Sequence, residues 1–285
     1  MIDFSRRRRH AIVVAVLVLL RTGALSAQAR EATDTSQAQQ TLFNARDAWL
    51  AAGFVGLTVA MFPIDKHIEL HLRDQTTPAN RFLDGSAKGF EYVTTPGSFI
   101  IGGALYGIGV VTQKPKLKDL GWHGTEAVLL GSGITGLLKG TLGRARPDFN
   151  ATGPVTTRPS DFQFGKGFTV ASRQSFPSGH TTTAFAAASA VTSEVHRMWP
   201  QYTWYVAPVL YGGATLVGLS RMYHNRHWAS DVALGAGIGT FSGLKVVKYS
   251  HAHPDNLVDR IILRTTAAPD GRGGAYIIWS APAPR

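Results

Sequence analysis

The sequence predicts an all-α protein: a core bundle of six helices, with a small β-hairpin at the C-terminal end. Three observations carry that prediction. Six apolar segments run Ala48 to Ile64, Pro96 to Thr112, His123 to Leu142, Thr181 to Val195, Thr203 to Ser220 and Asp231 to Val247. All are too long for ordinary strands, and they are rich in Ala, Leu and Gly with no period-2 alternation. From His251 onward the character changes, with β-prone runs at Arg260 to Thr266 and Ala275 to Ser280 flanking the turn signal Pro269-Asp270-Gly271.

Taken in order, residues 1–29 read as an export signal. Arg6 to Arg9 form the charged region, Ala11 to Leu20 the apolar run, and Ala27-Gln28-Ala29 a small-residue cleavage site. The competing reading is an uncleaved anchor, which the short apolar run disfavours. Residues 30–41, small and polar with Glu31 and Asp34, read as a disordered lead-in. A single domain is expected over 42–250, since 285 residues support one large core more readily than two. Residues 251–285 form a tail.

Glycine recurs inside the segments, at Gly212-Gly213 and at Gly235, Gly237 and Gly239. It weakens helix propensity and allows close helix approach. A nucleotide-binding reading of the last series fails, because no strand precedes it.

The chain carries 29 Lys+Arg against 18 Asp+Glu, a formal charge of +11, part of which lies in the leader. No basic patch interleaved with exposed aromatics appears, which argues against nucleic acid and leaves an anionic small molecule or lipid as the partner. Cysteine is absent, so disulfides and thiolate metal sites are excluded and an oxidising compartment poses no folding problem. No cofactor or metal is read. His251 and His253 lack further ligands at suitable spacing and read as a solvated linker.

Three blocks carry the chemistry. Lys139 ends the third segment, and Arg146 follows seven residues later, held extended by Pro147. Pro177-Ser178-Gly179-His180 opens a helix whose first amides can cradle an anion. Arg221 ends the fifth segment, while His227 and Asp231 stand four apart at the start of the sixth. A given tetrapeptide arises by chance on the order of once in 10⁵ positions, so the set is specific where each block alone is weak.

Phosphoryl transfer asks a protein to position an anion and neutralise charge on the equatorial oxygens. Lys139, Arg146 and Arg221 suit that task. His180 at a helix start can protonate a leaving oxygen. Asp231 can accept from one ring nitrogen of His227, fixing the tautomer and leaving a nucleophile that would form a phosphohistidine.

Other histidines, His67, His71, His123, His196 and His224, read as structural or surface groups. Arg144 and Arg226 read equally as additions to the positive potential or as solvated neighbours. Tyr223 and Trp228 line the pocket or pack. The long connection Asp148 to Gln174, with Phe149, Phe162, Phe164 and Phe168, reads as a lid, against the plainer reading that its aromatics fasten it to the bundle.

These residues match the pattern of the type 2 phosphatidic acid phosphatase and vanadium haloperoxidase superfamily: Lys, six residues, Arg-Pro; Pro-Ser-Gly-His; Ser-Arg, five residues, His, three residues, Asp. The chain resembles that family over roughly Ala48 to Lys248, with the sharp motifs between Lys139 and Asp231. The resemblance implies a helical bundle of that type. It implies phosphate binding by Lys139, Arg146, Ser178, Gly179 and Arg221, an acid at His180, and a nucleophile pair His227 and Asp231. No motif residue is missing. The family includes soluble exported acid phosphatases, membrane-embedded lipid phosphatases and vanadate-holding haloperoxidases, and the motifs do not separate them.

The expected activity is therefore metal-independent hydrolysis of a lipid phosphate, an isoprenoid diphosphate or a small organic phosphate. The alternatives are vanadate-dependent halide oxidation and a non-enzymatic anion-binding membrane protein. Oligomeric state is not legible.

Membrane embedding is open at this level. Tyr92 to Gln113 and Trp199 to Ser220 are uncharged, but Glu126, Lys139, Glu194 and Lys245 interrupt other segments, and mean hydropathy is −0.00. If six segments span, Lys114, Lys116, Lys118, Arg197, Lys245 and Lys248 lie opposite the motifs, placing the site on the periplasmic side of an inner membrane or in the periplasm. A cleaved leader, however, delivers residue 45 to the wrong side for three crossings before Lys139.

Overall fold

In the computed structural model the described residues are 42–73, 88–89, 91–92, 94, 96–147, 157–269 and 275–279. The leader and the lead-in lie outside them, as does the first third of the long connection, Phe149 included. Among the described residues all six expected helices are present, joined by the short helices Asp65–Arg73 and Leu257–Ile262.

Helix α1 (Ala45–Met61) starts where Asn44 can cap it: Asp47 donates its amide to Asn44 Oδ1 at 3.1 Å, and Asn44 donates its own to Asp47 Oδ2 at 2.8 Å. A single 3₁₀ turn, Phe62–Ile64, carries Pro63 and leads into α2 (Asp65–Arg73). Then come α3 (Gly97–Val111) and α4 (Pro115–Leu142), the latter opened by a proline in its first turn. Helix α4 begins eight residues before the apolar run does, because Lys116, Lys118 and Asp119 interrupt the pattern without breaking the helix. It stops at Gly143, whose φ of 59° places it in the left-handed region.

Helices α5 (Gly179–Met198), α6 (Thr203–Tyr223) and α7 (Ala229–Ala252) complete the bundle. Ala127, Val128, Ala186, Ala190, Val246 and Val247 form a buried cluster where α4, α5 and α7 meet. Helices α5 and α7 approach at backbone distance. A Cβ on Gly235 would lie 2.7 Å from the Ser178 carbonyl, one on Gly239 2.3 Å from that of Thr182, and one on Gly243 2.6 Å from the Ala190 amide. The close-approach strip is thus Gly235, Gly239 and Gly243. Gly237 faces Phe54 of α1 instead, and nothing lies within 4 Å of a Cβ on Gly212 or Gly213.

Helix α1 lies antiparallel on α7. Its start meets Lys245, whose Nζ is 2.5 Å from Asp47 Oδ2 and 2.9 Å from the Leu42 carbonyl. Past its far end, Asp65 meets Ser230. The motif residues therefore sit at one end of the bundle, and Lys118, Lys245 and Lys248 at the other.

The tail packs onto that second end. Helix α8 (Leu257–Ile262) takes residues expected in a strand, and the hairpin forms further on from β1 (Thr265–Pro269) and β2 (Ala275–Trp279), antiparallel with Thr265 opposite Trp279. Tyr106 donates its hydroxyl to the Ile262 carbonyl at 2.7 Å, and Lys118 donates to that of Leu263 at 2.7 Å.

The described part of the long connection, 157–174, folds back on the end of α4. Phe168 lies so close to Gly140 that a Cβ there would be 2.2 Å from its ring, and Phe162 packs on Phe62 and Phe176. Phe162 therefore fastens the connection, whereas Phe164 is exposed.

Candidate active site

The three blocks meet where α4 ends and α5 and α7 begin. The Lys139 side chain passes 3.6 Å from the position a Cβ on Gly179 would take, and its ammonium donates to the Gln174 carbonyl. Lys139, Arg146 and Arg221 lie within electrostatic reach of one another; His180 feels all three, and His227 feels Lys139 and Arg146. All eight residues singled out by the motifs belong to this one cluster.

His227 is buried, 3% exposed, in the segment between α6 and α7. Its Nδ1 lies 2.7 Å from the carbonyl of Ser175. A carbonyl only accepts, so Nδ1 carries the proton and Nε2 keeps its lone pair. Asp231 Oδ2 stands further from Nδ1, at 3.4 Å. The sequence suggested that Asp231 itself takes the hydrogen bond; in the fold the Ser175 carbonyl takes it, and Asp231 adds negative charge behind the ring.

The carboxylate is occupied elsewhere. Its Oδ2 accepts from Ser175 Oγ at 2.5 Å and from the Trp228 amide at 2.8 Å, while Oδ1 accepts from Arg144. Burial, reinforced by Lys139 and Arg146, pushes the His227 imidazole down to about 3 against the opposing pull of Asp231. The ring is neutral at physiological pH.

Arg144 is the group most underrated from sequence. It is fully buried and grips Asp231 with one terminal nitrogen, Asp65 Oδ2 with the other at 2.8 Å, and the Pro159 carbonyl with Nε at 2.7 Å. Phe62, Phe162, Phe176 and Trp228 surround its guanidinium at 4.6–5.6 Å. Asp65 also receives the amide of Ser230 at 2.9 Å and its hydroxyl at 2.5 Å. Trp228 packs and donates to the Ala145 carbonyl at 2.9 Å. Arg226 is exposed.

In the second block, the Ser178 amide is not available to an anion, since it donates to the Asp231 carbonyl at 3.0 Å. That bond ties the start of α5 to the start of α7. The amides of Gly179 and His180 open the first turn of α5, where no preceding turn exists to accept from them.

Glu91, which no motif announced, pairs with Arg221 and accepts from His224 Nδ1 at 2.7 Å. Burial pulls its carboxyl upward, but the His224 hydrogen bond and the Arg221 charge hold it below the ordinary glutamate value. His251, read as part of a solvated linker, sits in the last turn of α7 with Nε2 2.8 Å from Glu194 Oε1.

Gly179 gives a clean test of the anion cradle. A Cβ there would make only ordinary contacts, the nearest at 3.6 Å. Gly179→Ala should therefore fold normally and lose about tenfold or more in affinity for inorganic phosphate or vanadate, a change of about 1.4 kcal/mol, read by competitive inhibition.

The sequence profile of the PAP2 superfamily matches residues 121–255, the stretch that contains all three blocks. Residues 121–255 carry the PAP2 superfamily pattern. Among curated relatives, the protein is 48% identical over 69 residues to a lipid A 1-phosphatase of Porphyromonas gingivalis, covering 24% of this chain and 15% of that one. It is 32% identical over 166 residues to a lipid A 1-phosphatase of Rhizobium etli, covering 56% and 60% respectively. The matched part is thus less than two thirds of either relative. The crystal structure of a transmembrane PAP2-type phosphatidylglycerolphosphate phosphatase from Bacillus subtilis matches with a TM-score of 0.50 at 18% identity, over 75% of this chain and 100% of that one. At that identity the likeness speaks for the PAP2 fold alone.

Proposed function

We propose that this PAP2 protein is a metal-independent phosphatase that removes phosphate from a lipid carrier at a membrane, through a phosphohistidine on His227. The observation that carries this reading is the buried, neutral His227, its Nδ1–H spent on the Ser175 carbonyl so that Nε2 is the nucleophile, set among Lys139, Arg146 and Arg221. Nε2 attacks phosphorus while the three cations offset charge on the equatorial oxygens, and His180, neutral in the free protein and protonated alongside the bound phosphate anion, gives that proton to the departing oxygen. Water then attacks the phosphohistidine, with His180 taking the proton back, and phosphate leaves.

A lipid substrate is supported by the outer surface. Trp49, Val55 and Val59 on α1, Ile100, Ile101 and Val111 on α3, Leu129 and Leu137 on α4, and Tyr205 and Val209 on α6 all stand exposed. In water such faces are costly; against acyl chains they are not. The stretch Ala45–Leu72 is long and apolar enough to cross a membrane, and α3 is a shorter apolar helix. The names of the two relatives make lipid A 1-phosphate the first substrate to try.

The basic end of the bundle, with Lys118, Lys245 and Lys248, belongs on the cytoplasmic side, which gives the site a periplasmic address. Because α1 starts at that basic end, a bilayer-spanning α1 begins in the cytoplasm, and this conflicts with cleavage after Ala29. N-terminal sequencing of the purified protein separates the two.

The test is phosphate release from lipid A 1-phosphate, undecaprenyl diphosphate, phosphatidic acid and a soluble monoester, with protein treated with chelator and kept well below its unfolding temperature. Turnover should favour a lipid and should not rise on adding divalent metal. A requirement for added metal, or halide oxidation with vanadate and peroxide in place of phosphate release, would refute the reading.

A further inference from the structure

At the end of the bundle away from the phosphate pocket, α4, α5 and α7 bring a second set of polar groups together. His123 on α4 and Glu194 on α5 are each 1% exposed, and His251 on α7 is partly buried. His123 Nδ1 lies 2.6 Å and His251 Nε2 2.8 Å from the same oxygen, Glu194 Oε1. One ligand atom from each of the three residues falls within 4.8 Å of the others. Along α4 alone, sixteen residues separate His123 from Lys139, about 24 Å of helix.

Two features set this cluster apart from a network satisfied by protons. Both imidazoles converge on Oε1, while Glu194 Oε2, equally buried, has no hydrogen-bond partner. Three ligand atoms around one ion converge in this way, and the buried Oε2 has lone pairs that no proton donor in the cluster meets. Negative charge is also in excess. Asp119, Glu126 and Asp259 lie within electrostatic reach, so four carboxylates face two imidazoles, and Glu126 Oε2 is buried without a partner. Lys118 acts on Asp119, yet its ammonium is spent on the Leu263 and Thr265 carbonyls. Buried charge of this kind requires a countercharge.

The surroundings fit a metal's outer shell. Asp259 Oδ2 stands 3.7 Å from the second ring nitrogen of His123, and Asp259 Oδ1 accepts from Trp122 Nε1 at 3.1 Å. A carboxylate behind a ligating histidine orients the ring and raises its basicity.

We propose that His123, Glu194 and His251 bind a divalent transition-metal ion of the zinc class, which pins the far ends of α4, α5 and α7 together. Two imidazoles and a carboxylate without thiolates suit Zn²⁺, with water completing four ligands. The site is structural, and phosphate release plays no part in its test.

The full chain, with any affinity tag removed, is purified in detergent without chelator, its metal content measured by mass spectrometry, and its melting temperature followed as Zn²⁺ is titrated after EDTA treatment. About one Zn²⁺ per chain and a melting temperature raised by Zn²⁺ are expected. His251→Gln and Glu194→Gln should each weaken Zn²⁺ binding by more than the about 100-fold that outer-shell partners contribute. His227→Ala should bind as the parent does. If Glu194→Gln does not fold, His251→Gln decides, since that side chain is already partly exposed. Absence of bound metal together with the same melting temperature in EDTA and in Zn²⁺ would overturn the proposal and leave a proton-bridged ion network.

Discussion

His227→Ala should lower turnover on the preferred substrate by about 10⁴-fold or more, with folding intact. Deleting a covalent nucleophile removes the reaction path itself. The side chain lies beside the Ser175 carbonyl, where a small void replaces it without stranding a charge. The measurement is phosphate release alongside a melting curve and, in the parent, rapid alkaline quenching that preserves the acid-labile phosphate on histidine. Label should appear in the parent and vanish in the variant. His180→Gln sharpens the test, because an acid matters most where the leaving group is poor. Its loss should be much larger for a lipid alkoxide than for p-nitrophenolate. Full activity in His227→Ala, or equal losses on both leaving groups in His180→Gln, would assign the roles elsewhere.

Arg144→Met should be the most destabilising single change near the site. The guanidinium joins Asp231 at the start of α7 to Asp65 at the start of α2, and every one of these side chains is buried. Removing the cation leaves two carboxylates facing one another in a dry aromatic cage. Breaking a buried pair in this way costs about 3–5 kcal/mol. Activity should fall with it, since Asp231 would no longer be held behind His227. Arg144→Lys should recover little, because an ammonium cannot fork between two carboxylates. Adding Asp65→Asn to Arg144→Met should restore part of the stability by removing the stranded charge. Chemical unfolding in detergent together with phosphate release checks this, and an Arg144→Met protein as stable and active as its parent would contradict it.

The helices were readable because their apolar runs are long, and the phosphate pocket because its residues come as compact blocks. What the sequence hid is what the fold assembles from distant places. Asp65 and Ser230 are 165 positions apart, His224 and Glu91 133, and His123 and Glu194 71. Ser175 escaped notice because its contribution to His227 is a backbone carbonyl, which every residue possesses. Arg144 looked like a neighbour of Arg146 because burial has no local signature when the cage comes from four separate segments. Glu194 appeared only as an interruption of an apolar run, and Lys245 as an interruption and one basic residue among several, although each is paired inside the bundle.

The glycine strip between α5 and α7 has a consequence for how this chemistry can diversify. His180 rides on the first turn of one helix and Asp231 on the first turn of the other, and the two main chains touch with no side chains between them to repack. The gap between the start of the helix that carries His180 and the carboxylate that stands behind His227 is therefore set by the thickness of the polypeptide backbone itself. Substitutions elsewhere can reshape the opening through which a headgroup arrives while the reacting atoms keep their spacing, so one catalytic ruler can serve many cargoes.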